Sequence, residues 1–193
     1  MFKDPNEEEV EKLDVDEDPV VSDGYNRTLI ECLPRFWPNT FDIEVQYKKA
    51  TFDLLVEVIL SSSWQIQLIV IQSVNQILEK NSTLNSSDII PLLEPIINLG
   101  PRTKSSGLKR EILKFLRILF SNSRYSKCFD DNIDCRNLLQ FNLDEMIHDT
   151  RSNEISEQAK ELKKQNEHLF EKLKKDDEQQ QLPTDPIDTN DLF

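Results

Sequence analysis

The stretch SSSWQIQLIVIQSVNQILEK, residues 61–80, joins the most apolar run of the chain to a series of interspersed amides. Two apolar stripes recur in it at helical spacings: Ile66, Val70, Val74 and Ile77, and Trp64, Leu68, Ile71 and Leu78. The run is too long for an ordinary strand, and its amides interrupt it before the length that a membrane span requires. The stretch therefore predicts a helix with two buried faces, which is typical of the middle of a layered stack.

The rest of the chain favours further helices. It contains only three glycines in 193 residues, which argues against folds that depend on tight β-turns. Apolar periodicity predicts additional helices at about 22–34, 40–60, 86–100, 107–121, 134–147 and 156–175. Pro34 is expected to end the first of these, and Pro91 and Pro95 are expected to delay or kink the third.

These helices pair at a period of about 40 residues. The helix from Thr40 pairs with the one from Trp64, and the helix from Asp88 with the one from Leu108. A third, capping pair would join 134–147 to 156–175. Hairpins of this length and period are typical of α-solenoids. The predicted fold is therefore all-α, an α-solenoid of HEAT or armadillo type.

The acidic residues are concentrated at the two ends of the chain. Residues 1–23 carry ten acids and two bases, and residues 176–193 carry six acids and no base. The formal net charge is −13, so the residues between these ends are close to neutral. Segments this charged and this poor in apolar residues favour disorder. We expect acidic tails at 1–21 and 176–193 around helical repeats at 22–175.

One segment of the body is strongly basic. Residues 102–127 hold eight basic residues and one acidic residue. Helical spacing places Arg110, Lys114 and Arg117 on one face, and Lys109 completes the candidate partner-binding surface. Such a face is either simply solvated or a docking surface for an acidic partner or for the tails of the chain. No aromatic residues alternate with the bases, so nucleic acid is not an expected partner.

The sequence offers little catalytic chemistry. His148 and His168 are the only histidines, and neither lies near a cysteine in the sequence. No metal, cofactor, catalytic site or small-molecule substrate is therefore expected, and the chain is interpreted as a non-enzyme. A small helical enzyme, the competing interpretation, would need a polar pocket with perturbed titratable groups. The odd number of cysteines and the lack of an apolar leader at the start indicate the cytoplasm or nucleus, without membrane insertion.

Several of these segments together resemble a known family. They are LPRFWPNTFDIEVQYKKATFDLL (33–55), SSSWQIQLIVIQSVNQIL (61–78), SSGLKREILKFLRIL (105–119) and EISEQAKELKKQNEHL (154–169). The residues that carry the resemblance are Trp37-Pro38, Tyr47, Leu54, Ser63-Trp64, Gln67-Leu68, Gln72-Ser73, Asn75, Ser106, Lys109-Arg110 and Glu111. Over about residues 25–173 the chain is similar to the C-terminal part of the large proteasome-associated HEAT-repeat adaptor and scaffold family. It departs from the HEAT pattern at Gln67, where that pattern has a basic residue.

The resemblance implies a function and partners. Members of that family are scaffolds that brace the proteasome core particle against its regulatory particle, and they have no catalytic activity. They are much longer than 193 residues, so the resemblance implies a terminal piece of such a protein. The residues that contact proteasome subunits are not implied by any motif in this segment. A HEAT or armadillo module of another assembly, such as nuclear transport, remains the alternative.

Overall fold

A computed structural model describes residues 19–37, 45–80, 84–130 and 132–171. Over these residues the chain is helical and has no strand, which confirms the predicted all-α class. Its helices are α1 (Pro19–Phe36), α2 (Val45–Ser61), α3 (Trp64–Lys80), α4 (Ser86–Arg102), α5 (Ser106–Ser121), α6 (Ser123–Asp130), α7 (Ile133–Ile147) and α8 (Asn153–Gln165). A turn at Asn166 leads into a last helical segment at 167–171. Acidic tails were predicted at 1–21 and 176–193. Residues 1–18 and 176–193 lie outside the described residues, and residues 19–21 belong to α1.

The prediction that Pro34 ends the first helix was wrong, and so was the late start predicted for the helix that contains Pro91 and Pro95. Helix α1 continues through Pro34 to Phe36, and α4 is a single helix that contains Pro91 and Pro95. An interior proline costs about 3 kcal/mol in a helix. Five fully buried side chains in α4 each contribute about 1.5–3 kcal/mol and outweigh that cost: Ile89, Leu92, Leu93, Ile96 and Ile97.

The start of α4 is fixed by Asn85, the residue that precedes its first turn. The Asn85 side chain accepts a hydrogen bond from the Asp88 N–H at 3.3 Å, and the Asp88 carboxylate accepts from the Asn85 N–H at 3.0 Å. This reciprocal capping box satisfies two backbone donors that have no partner within the helix. Helix α6 was not predicted, because its eight residues are too few to show a clear apolar period.

The helices pack in two rows. In the first row α1, α3, α5 and α8 lie side by side in that order, and in the second α2, α4 and α7 do the same. Consecutive helices connect the rows, since α2 packs on α3, α4 on α5 and α7 on α8. Helix α6 fills the space beside α4, α5 and α7.

Three pairs of neighbours within the rows run in the same direction: α3 with α5, α5 with α8, and α4 with α7. Between α3 and α5, Asn75 bonds to Glu111 and, one turn further along both helices, Glu79 pairs with Lys114. The contacts between α5 and α8 show the same direction. Arg110 of α5 pairs with Glu154 of α8, and one turn further along both helices Lys114 and Gln158 line the same groove. In the second row, the start of α4 lies against α6, the helix that directly precedes α7. Gly100, near the end of α4, lies against Met146, near the end of α7.

Helix α3 lies in the middle of the first row, and its polar side chains bond to each neighbour. Ser73 Oγ donates to the Ile30 carbonyl of α1 at 2.8 Å. Asn75 Nδ2 donates to the Glu111 carbonyl of α5 at 3.0 Å. Gln67 Nε2 donates to the Ile59 carbonyl in the last turn of α2 at 2.8 Å. The predicted helix with two buried faces is therefore present, and part of its polar content joins it to three other helices.

Some predicted apolar stripes reach the surface. Trp64, the first residue of α3, is 48% exposed, because it lies at the tip of the α2–α3 turn. On α2, Phe52, Leu55 and Ile59 are buried, whereas Tyr47 and Leu54 are more than 60% exposed. Helix α2 is the first helix of its row among the described residues, so it lacks a neighbour on one side. None of the described helices is both long and apolar enough to cross a bilayer.

Candidate functional site

A groove on the first row of helices contains most of the predicted basic surface. It lies among the end of α3, the outer face of α5, the α5–α6 turn and the start of α8, and it has a volume of about 770 Å³. Its lining residues are Leu78, Glu79, Arg110, Glu111, Lys114, Arg117, Ile118, Ser121, Asn122, Ser123 and Gln158. We call this surface the basic groove.

Lys109 does not belong to the basic groove, although it was predicted as part of the candidate surface. Its side chain is 3% exposed and forms an ion pair with Asp149 in the α7–α8 connection. Leu113 and Leu116, four and seven residues further along α5, are also buried. Position 109 therefore lies on the inner face of the helix, where its charge requires a partner.

Arg110 and Lys114 are exposed in the groove but form ion pairs with neighbouring helices. Arg110 makes a bidentate contact with Glu154 of α8, with Nη2–Oε2 at 2.7 Å and Nε–Oε1 at 3.2 Å. The hydrogen bonding that Arg110 donates to the Glu154 carboxylate is the main cause that raises the pKa of Arg110 above its usual value. Lys114 Nζ lies 3.1 Å from Glu79 Oε1 of α3. Because all four side chains are about half exposed, each pair contributes little to stability and leaves its charges accessible.

Arg117 is the free cation of the basic groove. It is exposed and has no ion pair or hydrogen bond with any residue that the structure describes. Beside it Ile118 is half-buried, and Leu78 across the groove is buried. An uncompensated guanidinium next to an apolar floor can bind a carboxylate and an adjacent apolar side chain together.

The remaining groove residues are small and polar. Ser121, Asn122 and Ser123 form the α5–α6 turn at one end, and Gln158 lies on the α8 side. Hydroxyl and amide groups of this kind can bond to the backbone of an extended peptide. The groove has three basic and two acidic lining residues, so its chemistry suits an acidic segment of polypeptide.

The histidines and cysteines are the remaining candidates for a reactive site. No group of three or more His, Cys, Asp or Glu side chains within the described ranges is arranged to hold a metal ion. His148 and His168 are exposed. Burial raises the pKa of the Cys128 thiol to about 11, and burial also raises the pKa of Cys135. At neutral pH Cys128 is therefore protonated and weakly nucleophilic.

A second charged cluster joins α5 to the connection between α7 and α8. Arg151 binds the Asp149 carboxylate at 2.7 Å through Nε and at 2.8 Å through Nη2, and Lys109 binds it from the interior. The hydrogen bonds from Arg151 and then from Lys109 hold the pKa of Asp149 well below its usual value. Sequence reasoning identified the bases but missed their partners Glu79, Asp149 and Glu154, because contacts this distant along the chain leave no local signal.

Comparisons with protein-family models, with curated proteins and with solved structures find no match for this chain.

Proposed function

We propose that this chain is a non-enzymatic scaffold or adaptor that binds other proteins, and that it is built as an α-solenoid of HEAT or armadillo type. The observation that carries the proposal is that α3, α5 and α8 run parallel in one row and α4 and α7 run parallel in the other. In an up-and-down bundle adjacent helices alternate in direction. Stacked helical hairpins instead bring equivalent helices together in the same direction, with the second helices of all hairpins in one row.

The solenoid proposal also accounts for the exposed apolar residues at the first hairpin. Tyr47 and Leu54 lie seven residues apart on α2, and Leu29 of α1 is 54% exposed. In a stack of repeats such residues pack against an adjoining repeat or a partner protein. Proteins of this class commonly act through extended surfaces of this kind rather than through an enclosed pocket.

The proposed partner is the proteasome, where the chain would contact subunits of the core and regulatory particles in the cytoplasm and nucleus. Support for this partner comes from the resemblance over about residues 25–173 and from the availability of a basic groove for an acidic surface. A HEAT or armadillo module of another assembly, such as nuclear transport, is the alternative. The same helical architecture serves both, so only partner identity separates them.

The test is affinity capture of the tagged full chain, followed by mass spectrometry and by a binding assay with purified proteasome. Enrichment of core- and regulatory-particle subunits supports the proposal, whereas enrichment of transport receptors or nucleoporins supports the alternative. Arg117→Glu is expected to weaken capture, because it places a negative charge in the groove without breaking an ion pair. Arg102→Glu, an exposed guanidinium at the end of α4 that does not line the groove, is the matched control. Equal loss in both variants would show that the groove is not the contact.

A further inference from the structure

We propose that the acidic C-terminal segment of this chain, residues 176–193, occupies the basic groove and competes there with acidic partners. The inference rests on the groove being a site for acidic polypeptide, as the proposed function assumes. It adds an intramolecular occupant and therefore a way in which partner binding is regulated.

The first argument is chemical complementarity. Residues 176–193 hold six acidic residues and no basic residue. Apolar side chains are distributed among those acids: Leu182, Ile187, Leu192 and Phe193. The groove offers Arg117, which has no partner among the described residues, and an apolar floor at Leu78 and Ile118. A segment in which carboxylates and apolar residues alternate fits both features at once.

The second argument is reach. Helix α8 contributes Gln158 to the groove, and the described chain ends at Glu171, 13 residues later. At the helical rise thirteen residues span at most about 20 Å, and the turn at Asn166 shortens this distance. The 14 residues from 172 to 185 can cover up to about 46 Å. The chain can therefore return from Glu171 to the groove before its last three aspartates, Asp185, Asp188 and Asp191.

The position of the other acidic segment favours the C-terminal one. Residues 1–18 precede α1, which lies at the far side of α3 from α5 and is separated from α8 by two helices of the row. Residues 176–193 follow the helix that itself forms one wall of the groove. The C-terminal segment is therefore the nearer source of carboxylates for Arg117.

The energetics require the segment to be part of the same molecule. Exposed ion pairs contribute only about 0.2–1 kcal/mol each, so a separate acidic peptide binds weakly. A short tether gives an effective concentration on the order of millimolar, which favours occupation of a weak site. A partner then gains access only if its local concentration or its additional contacts exceed this internal competition.

The experiment compares two full chains that differ in the charge of the C-terminal segment. In one variant its six acids are changed to the corresponding amides (Asp176, Asp177, Asp185, Asp188 and Asp191 to Asn, and Glu178 to Gln). The probe is a fluorescein-labelled synthetic peptide with the sequence of residues 176–193, and binding is followed by fluorescence anisotropy. We expect the amide variant to bind the probe more tightly than the unaltered chain, because its own segment, at an effective concentration on the order of 1 mM, no longer competes; a dissociation constant of about 0.1 mM for the probe gives a difference of about tenfold. The difference should shrink at about 0.5 M salt, where screening is stronger.

Substitutions in the groove assign the site. Arg117→Glu in the amide variant is expected to abolish probe binding, and Arg102→Glu in the same background is the matched control that should leave it unchanged. Circular dichroism melting of each variant shows whether a loss of binding reflects loss of fold. Lys114→Gln, a second groove variant that lowers positive charge without introducing a negative one, should weaken binding by a smaller factor.

The outcomes separate this inference from the proposed function. Equal probe binding by the unaltered and amide chains, with loss on Arg117→Glu, would leave the groove as a partner site but overturn the intramolecular occupant. Binding that Arg117→Glu does not affect, or no binding by the amide variant, would overturn the proposal altogether. None of these results depends on whether the chain captures proteasome.

Discussion

Lys109 on α5 forms a buried ion pair with Asp149 in the connection between α7 and α8. Both side chains are less than 10% exposed, and they link segments 40 residues apart in the sequence. Arg151 binds the same carboxylate from the solvent side with its side chain about half exposed. The carboxylate therefore has two cationic partners, whereas the buried ammonium has an ion pair only with Asp149 among the described residues.

This asymmetry predicts unequal effects of removing either partner. Asp149→Asn leaves the buried Lys109 without a countercharge, and we expect a loss of about 3 kcal/mol or more in the free energy of unfolding. Lys109→Met keeps the aliphatic volume and leaves Asp149 bound to Arg151, so a loss of only about 1 kcal/mol is expected. Urea denaturation of both single variants measures the difference.

The double variant provides the control for this prediction. Lys109→Met combined with Asp149→Asn should be more stable than Asp149→Asn alone, since no buried charge is left unpaired. Additive destabilisation in the double variant would show that the two residues do not interact energetically.

The same carboxylate predicts a specific pH dependence. Its pKa is lowered in the folded state from a usual value of 3.8, so its stabilising contribution is complete above that unfolded value. As the pH falls below about 4 the unfolded state takes up the proton first, and the contribution is lost progressively towards the folded pKa. Stability curves between pH 6 and pH 2 should therefore be steeper for the unaltered chain than for Asp149→Asn. Parallel curves would contradict the assignment.

Substitution of Asn75 should show how much a buried polar contact in the middle of the first row contributes to the free energy of unfolding. It is fully buried, and its Nδ2 donates to both the carbonyl and the carboxylate of Glu111. Asn75→Ala should lower the free energy of unfolding by about 1–3 kcal/mol, because the Glu111 carbonyl loses its partner across α3 and α5. Gln76→Ala, the neighbouring exposed amide on the same helix, should change it by about 0.5 kcal/mol or less. Similar effects of both substitutions in thermal melting would argue against this contact.

Two glycines in helices should respond unequally to substitution by alanine. A Cβ at Gly107 would have only one neighbour within 4 Å, the Ser105 Oγ at 3.8 Å, so Gly107→Ala should stabilise the chain by up to about 1 kcal/mol. A Cβ at Gly100 would lie 2.9 Å from Met146 Cε and 3.2 Å from its Sδ. The methionine side chain must move to accommodate it, so Gly100→Ala should gain less or be destabilising. Equal gains in differential scanning calorimetry would show that α4 and α7 do not approach closely at this point.

Much of the local structure could be predicted from the sequence. Strong periodicity over 12 or more residues identified α3, α5 and α7 with ends close to those observed, because apolar residues at this regular spacing fit a helix and few other structures. Helix α6 gave too short a signal, and the late start expected for α4 was wrong because the local proline penalty was weighed without the burial that overrides it. Trp64 was expected in the core, since nothing in the sequence indicates that it lies at a turn.

The basic surface of α5 shows which features follow from the sequence and which follow from the tertiary structure. The sequence by itself determined an all-α chain, a two-faced central helix and a concentration of positive charge on α5, since periodicity and composition are local properties. Only the tertiary structure decided that Lys109 is buried, that Arg110 and Lys114 are paired and that Arg117 has no partner within the described part of the chain. Those outcomes depend on Asp149, Glu154 and Glu79, which approach α5 through packing of helices far apart in the sequence.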